Sequence, residues 1–160
     1  MRFIDPKGLY LPGYHYEFTK NGAFSAGLNL KDALSLAQQV VDVDNGDIWP
    51  GSQKVYNSHM HAMCAAGLSK DICMKNYYNW LNKQYNKCTT RGLAAVLHAW
   101  QDSFAGGHEN MTEYNGFLSL FLKPSHFLND LFPSFEELRL VPQATAGIIK
   151  MWKKKCECQN

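Results

Sequence analysis

Six histidines, His15, His59, His61, His98, His108 and His126, are the side chains here best suited to metal or proton chemistry. Two stand four positions before an aspartate, His98 before Asp102 and His126 before Asp130. On a helix, positions i and i+4 share a face one turn apart, so each pair can reach one metal ion or bridge two. Imidazole nitrogen with carboxylate oxygen is ordinary zinc ligation, and hydrolytic sites often hold two or more such ions. Taken alone, one His-x3-Asp pair suits a helix-surface hydrogen bond equally well. The sequel to the first pair adds weight, because His108 follows Asp102 by six residues. A helix should end at Gly106-Gly107, which lets the backbone turn His108 back toward the same cavity.

In order and internal spacing, His98-x3-Asp102-x5-His108 followed by His126-x3-Asp130 resembles the metal signature of the bacterial zinc-dependent phospholipases C. It is equally similar to that of the related fungal-type single-strand nucleases. Both groups are all-helical enzymes with a trinuclear zinc cluster, and the resemblance spans residues 44–130. Family members carry an earlier Asp and His fourteen or fifteen residues apart. Asp47 with His61, or Asp44 with His59, has that spacing, the first pair being preferred. The resemblance implies that His61, His98 and Asp47 hold one zinc, with Asp102 bridging to another. His108, His126 and Asp130 would hold the second, and His15 is the available histidine for a third. The family completes that third site with a processed N-terminal tryptophan, whereas this chain begins Met1-Arg2. A zinc-activated water would attack phosphorus in line, with Asp47, if not a ligand, or Glu109 beside His108 as the base.

The implied substrates are phospholipid or single-stranded nucleic acid. The run Phe117, Leu118, Leu120, Phe121 and Leu122 favours a phospholipase C-like activity with transient contact to a membrane surface, since it offers an apolar rim. Trp49 and Trp100 offer stacking faces for the nuclease alternative, and the Lys150–Lys155 tail suits either anionic partner. Asn57 to Cys64, with the run from His98 to Phe104, also looks like the C-terminal toxin domains of Rhs-type polymorphic toxins. Such a domain is delivered into competitor cells and implies a cognate immunity protein. The chemistry leaves two alternatives: a non-enzymatic helical module with a structural metal, and a cysteine-dependent enzyme using Cys64 or Cys88.

Composition sets the frame for these residues. With 160 residues, 46% hydrophobic and 19% charged, the chain reads as one globular domain, and a net charge of +2 selects no partner. No apolar stretch is long enough for a transmembrane segment. Met1 to Pro6 lacks the apolar core of a secretory signal, which points to retention, signal-independent delivery or a domain of a longer chain. The odd count of five cysteines, Cys64, Cys73, Cys88, Cys156 and Cys158, reads as free thiols, with one disulfide among Cys64, Cys73 and Cys88 as the alternative.

Glycine and turn residues predict an irregular N-terminal arm over residues 1–28, followed by a helical core over 29–155. Asn29 caps a first helix through Val41, and a loop follows over 42–52. Further helices are expected over Val55–Ala65, after Ser69 with Ile72, Tyr77, Trp80, Leu81 and Tyr85 inward, from Gly92 to Phe104, and over Gln143–Lys155. Short helices are expected within 117–122 and 127–131. No strand pattern stands out. The expected fold is an all-α compact helical bundle with an irregular N-terminal arm.

Overall fold

A computed structural model describes residues 12–44, 50–52, 54–105, 111–114 and 133–157. The fold is all-α: α1 (Pro12–Ser25), α2 (Leu30–Asp44), a 3-10 helix (Val55–His61), α3 (Lys70–Tyr85), α4 (Thr90–Asp102) and α5 (Phe135–Glu157). Two-residue strands β1 (Cys64–Ala65) and β2 (Glu113–Tyr114) pair in parallel. Among the described residues no helix is long and apolar enough to cross a membrane.

Helix α4 is the centre. Every residue from Gly92 to Ala99, and then Gln101 and Asp102, is buried, as expected of a helix enclosed on all sides. Thr89 caps it by accepting a hydrogen bond from Gly92 N at 3.1 Å. Leu93 and Leu97 meet Leu36 and Val40 of α2, Ala23 of α1 and Ile149 of α5 in the main core. Asn29 caps α2 as the sequence indicates, its Oδ1 accepting from Asp32 N at 3.0 Å. The helix runs past Val41 to Asp44 because Asp44 continues the buried stripe of Ala37, Val40 and Val41.

Part of the expected arm is helix α1. Its inward positions, His15, Phe18, Thr19, Gly22 and Ala23, recur at helical spacing, but three of them are not apolar. A Cβ added to Gly22 would lie 2.6 Å from Thr145 Cγ2 and 2.9 Å from the Pro142 carbonyl, so glycine lets α1 and α5 approach. Gly22→Ala is therefore expected to cost about 1–3 kcal/mol through forced separation of these helices. A thermal melt tests this, and an unchanged midpoint would show that the helices separate freely.

Other boundaries also differ. The expected Val55–Ala65 helix is a 3-10 turn ending at His61, closed by Ala62 in the left-handed region at φ 54°. Residues 60–64 are buried in succession, which no single helical face allows, so the chain passes through the core as a tight turn and a strand. Tyr77 is buried as expected, but Ile72 is 48% exposed and Cys73 turns inward in its place. Helix α5 starts eight residues before Gln143 because Ser134 and Glu137 form a capping box: Glu137 N donates to Ser134 Oγ, and Ser134 N donates to the Glu137 carboxylate. Pro142 lies within it.

The free-thiol expectation is overturned. Cys64 bonds to Cys73, and Cys88 to Cys156, which joins the α3–α4 turn to the end of α5. An odd count hides a framework whose second bridge spans 68 residues. Cys158 and the expected helices within 117–131 lie outside the described residues.

Candidate metal centre

Four elements deliver one buried cluster. Helix α4 contributes His98 and Asp102, α2 ends on Asp44, the 3-10 helix ends on His61, and α1 supplies His15. Asp44 and Asp102 are both the last residues of their helices, where the backbone dipole is negative. Two helix C-termini and two carboxylates directed at one buried place give a potential that only a cation balances.

The donor atoms form a tight polyhedron. His98 Nε2 lies 3.0 Å from His61 Nδ1, and each lies 3.1 Å from Asp102 Oδ2. Asp44 Oδ1 lies 3.3 Å from His98 Nε2 and 3.7 Å from His61 Nδ1. A tetrahedral zinc with its usual bond lengths has ligand–ligand edges of about 3.3 Å, so these atoms fit one ion. His98 Nδ1 meets the Val40 carbonyl at 3.1 Å, and donating there leaves the lone pair of Nε2 facing the cluster. The second oxygen of Asp102, Oδ1, lies 3.1 Å from His15 Nε2. Asp102 thus presents one oxygen to the His61–His98 pair and the other to His15, the arrangement of a bridging carboxylate.

Electrostatics in the metal-free protein follow from the same contacts. Burial opposes charge on His98, but Asp44 and Asp102 outweigh it and hold the imidazole well above its usual range. Burial pushes His61 down despite its contact with Asp102, the opposite direction to His98. Burial also favours neutral acids, yet His98 leads the groups that hold Asp44 below and Asp102 well below the usual carboxylate range.

The sign of the pH response can be worked out for His98. Its folded value is raised, so its stabilisation of the metal-free protein is complete below the ordinary 6.5 and is lost as pH rises through the folded value. A divalent cation held by His98 Nε2 would take the place of that proton. The gap in melting temperature between zinc-loaded and chelated protein should therefore widen from pH 6.5 to 9; parallel curves would remove His98 from the metal-binding set.

Of the residues expected from sequence, His15, His61, His98 and Asp102 come together, joined by Asp44. His59 instead sets its ring edge-on to Trp80 at 6.0 Å, and burial depresses its basicity. Asp47, His108, Glu109, His126 and Asp130 lie outside the described residues. Gln101, Thr19 and Thr145, all fully buried behind His15, escape motif reasoning because an amide and two hydroxyls carry no metal-ligand signature.

Beside the cluster is a cavity of about 440 Å³ lined by Met74, Tyr77, Tyr78, Leu81, Trp100 and Phe104, with Lys70 and Ser103. Its wall includes Ala62, next to His61, while Ser103 follows Asp102. The Tyr77 hydroxyl donates to the Ala99 carbonyl at 3.2 Å, which fixes α3 against the helix that carries His98 and Asp102.

Comparison with protein-family models, curated proteins and solved structures returns no match to this chain.

Proposed function

We propose that this protein is a zinc-dependent phosphodiester hydrolase of phospholipase C-like type. The carrying observation is the convergence of His61 Nδ1, His98 Nε2, Asp102 Oδ2 and Asp44 Oδ1 at zinc-ligand spacing from three segments of the chain. A mixed imidazole–carboxylate set with no thiolate suits zinc in hydrolytic sites. A divalent cation held there would supply Lewis-acid polarisation of a phosphate oxygen and a nucleophile at neutral pH. Asp102, with an oxygen toward each side, would hold two cations in register, and His15 would complete the second position. The Val40 carbonyl fixes the His98 ring, so its Nε2 already points into the cluster and only its proton has to leave when an ion arrives.

The neighbouring cavity supports the lipid reading. Its Met, Leu and aromatic lining is suited to the acyl-glycerol part of a phospholipid, with Lys70 bringing positive charge toward the phosphate. Tyr78 and Phe104, 54% and 38% exposed, favour the second reading, a single-strand nuclease, because they offer ring faces to bases. As an enzyme delivered into a competitor as a toxin, the protein requires an immunity partner in its producer.

Elemental analysis of wild type and His98→Ala tests the reading. Two or three zinc ions per chain, lost in the variant together with hydrolysis of phosphatidylcholine vesicles, is the expected result. Cleavage of single-stranded DNA with vesicles left intact would select the nuclease. Zinc without turnover of either, with chelation unfolding the chain, would leave a structural-metal module.

A further inference from the structure

Gln101 is completely buried between one imidazole and two hydroxyls. Its Oε1 lies 2.8 Å from His15 Nδ1, and its Nε2 donates to Thr19 Oγ1 at 3.0 Å and Thr145 Oγ1 at 3.3 Å. In this orientation His15 Nδ1 carries the proton. The lone pair of Nε2 then faces Asp102 Oδ1 at 3.1 Å, two acceptors that need a cation beside them.

We propose that Gln101 is a positioning residue that selects the tautomer of His15, and so sets whether its Nε2 offers a lone pair to a divalent cation or a proton to Asp102. The identity of the cation rests on the zinc reading above; the selection of tautomer does not. A half-turn of the amide exchanges every role: Gln101 Nε2 donates to His15 Nδ1, His15 Nε2–H donates to Asp102, and both threonine hydroxyls donate to Oε1. A hydroxyl gives or accepts a hydrogen bond equally well, so Thr19 and Thr145 satisfy both orientations. The ring holds one proton in each state, and only its position changes. An ionised glutamate could only accept at this place and methionine could do neither, whereas glutamine serves both states without any change of charge. The buried arrangement gives the second metal position a ready resting state without metal: Asp102 keeps a hydrogen-bond donor until the cation displaces it.

Imidazole nitrogen–proton correlation spectra of His15, recorded with chelator and with saturating zinc, test this in wild type, Gln101→Glu and Gln101→Met. Wild type should carry its proton on Nε2 without metal and on Nδ1 with zinc. Gln101→Glu should carry it on Nδ1 in both conditions and bind the zinc at His15 at least about tenfold tighter. Gln101→Met should bind that ion about 10–100-fold more weakly while keeping the ion at His61 and His98. The same tautomer in all three metal-free proteins, or a doubly protonated ring in wild type, would overturn the proposal. If wild type bound no zinc, the hydrolase reading would fail, and the metal-free tautomers would still decide the role of Gln101.

Discussion

Asparagine in place of Asp102 is expected to empty the metal centre and lower phosphodiester hydrolysis about a thousandfold or more, a loss of about 4 kcal/mol in transition-state stabilisation. The substitution conserves shape, so the fold should survive, and the effect reports on charge. Asp102 Oδ2 is 3.1 Å from both His61 and His98, and Oδ1 is 3.1 Å from His15. An amide removes the negative charge and turns one of these acceptors into a donor, so one position must meet an N–H where a lone pair stood. Zinc content measured with the rate makes the result interpretable. Full zinc and full activity in Asp102→Asn would dismiss the cluster as the active centre, whatever the other residues do.

The second large effect concerns stability. Opening the Cys88–Cys156 bond by replacing both residues with serine should cost about 4 kcal/mol, because the bond removes the closure entropy of a loop with a sequence separation of 68. In a domain of this size that corresponds to a fall of roughly 10 °C or more in the melting temperature. Neither cysteine belongs to the donor cluster, so zinc per folded chain should stay unchanged. The shorter Cys64–Cys73 loop, with a separation of nine, should yield less, about 3 kcal/mol. Calorimetry on both double variants tests the ranking; equal or reversed losses would mean that native packing around the bonds outweighs loop closure.

Much of this was legible in the chain, and the failures have physical causes. Helices α2 and α4 were readable because a capping residue is followed by a regular apolar stripe, Leu36 and Val40 in one and Leu93 and Leu97 in the other. The pairing of His98 with Asp102 followed from helical periodicity alone. Helix α1 was not readable, because its buried face carries His15, Thr19 and Gly22 where a pattern search looks for leucine. His15 meets Asp102, Thr19 accepts from Gln101 and Gly22 lets Thr145 approach, so polar contacts and close approach replaced hydrophobicity at the informative positions. The last helix was expected to start at Gln143, although the Ser134–Glu137 box marks its true start ahead of Phe135. Asp44 was less favoured than Asp47 because spacing in sequence cannot reveal that α2 extends one more turn to carry it into the cluster.

The bond between Cys88 and Cys156 also gives the fold a direction in time. A reduced chain can be drawn out and passed through a narrow pore as a single extended strand. Once the bond forms, the segment between the two cysteines is a closed ring and can no longer thread singly. Any passage as a single unfolded strand would have to come before this bond forms, and an oxidising environment would then bar the way back.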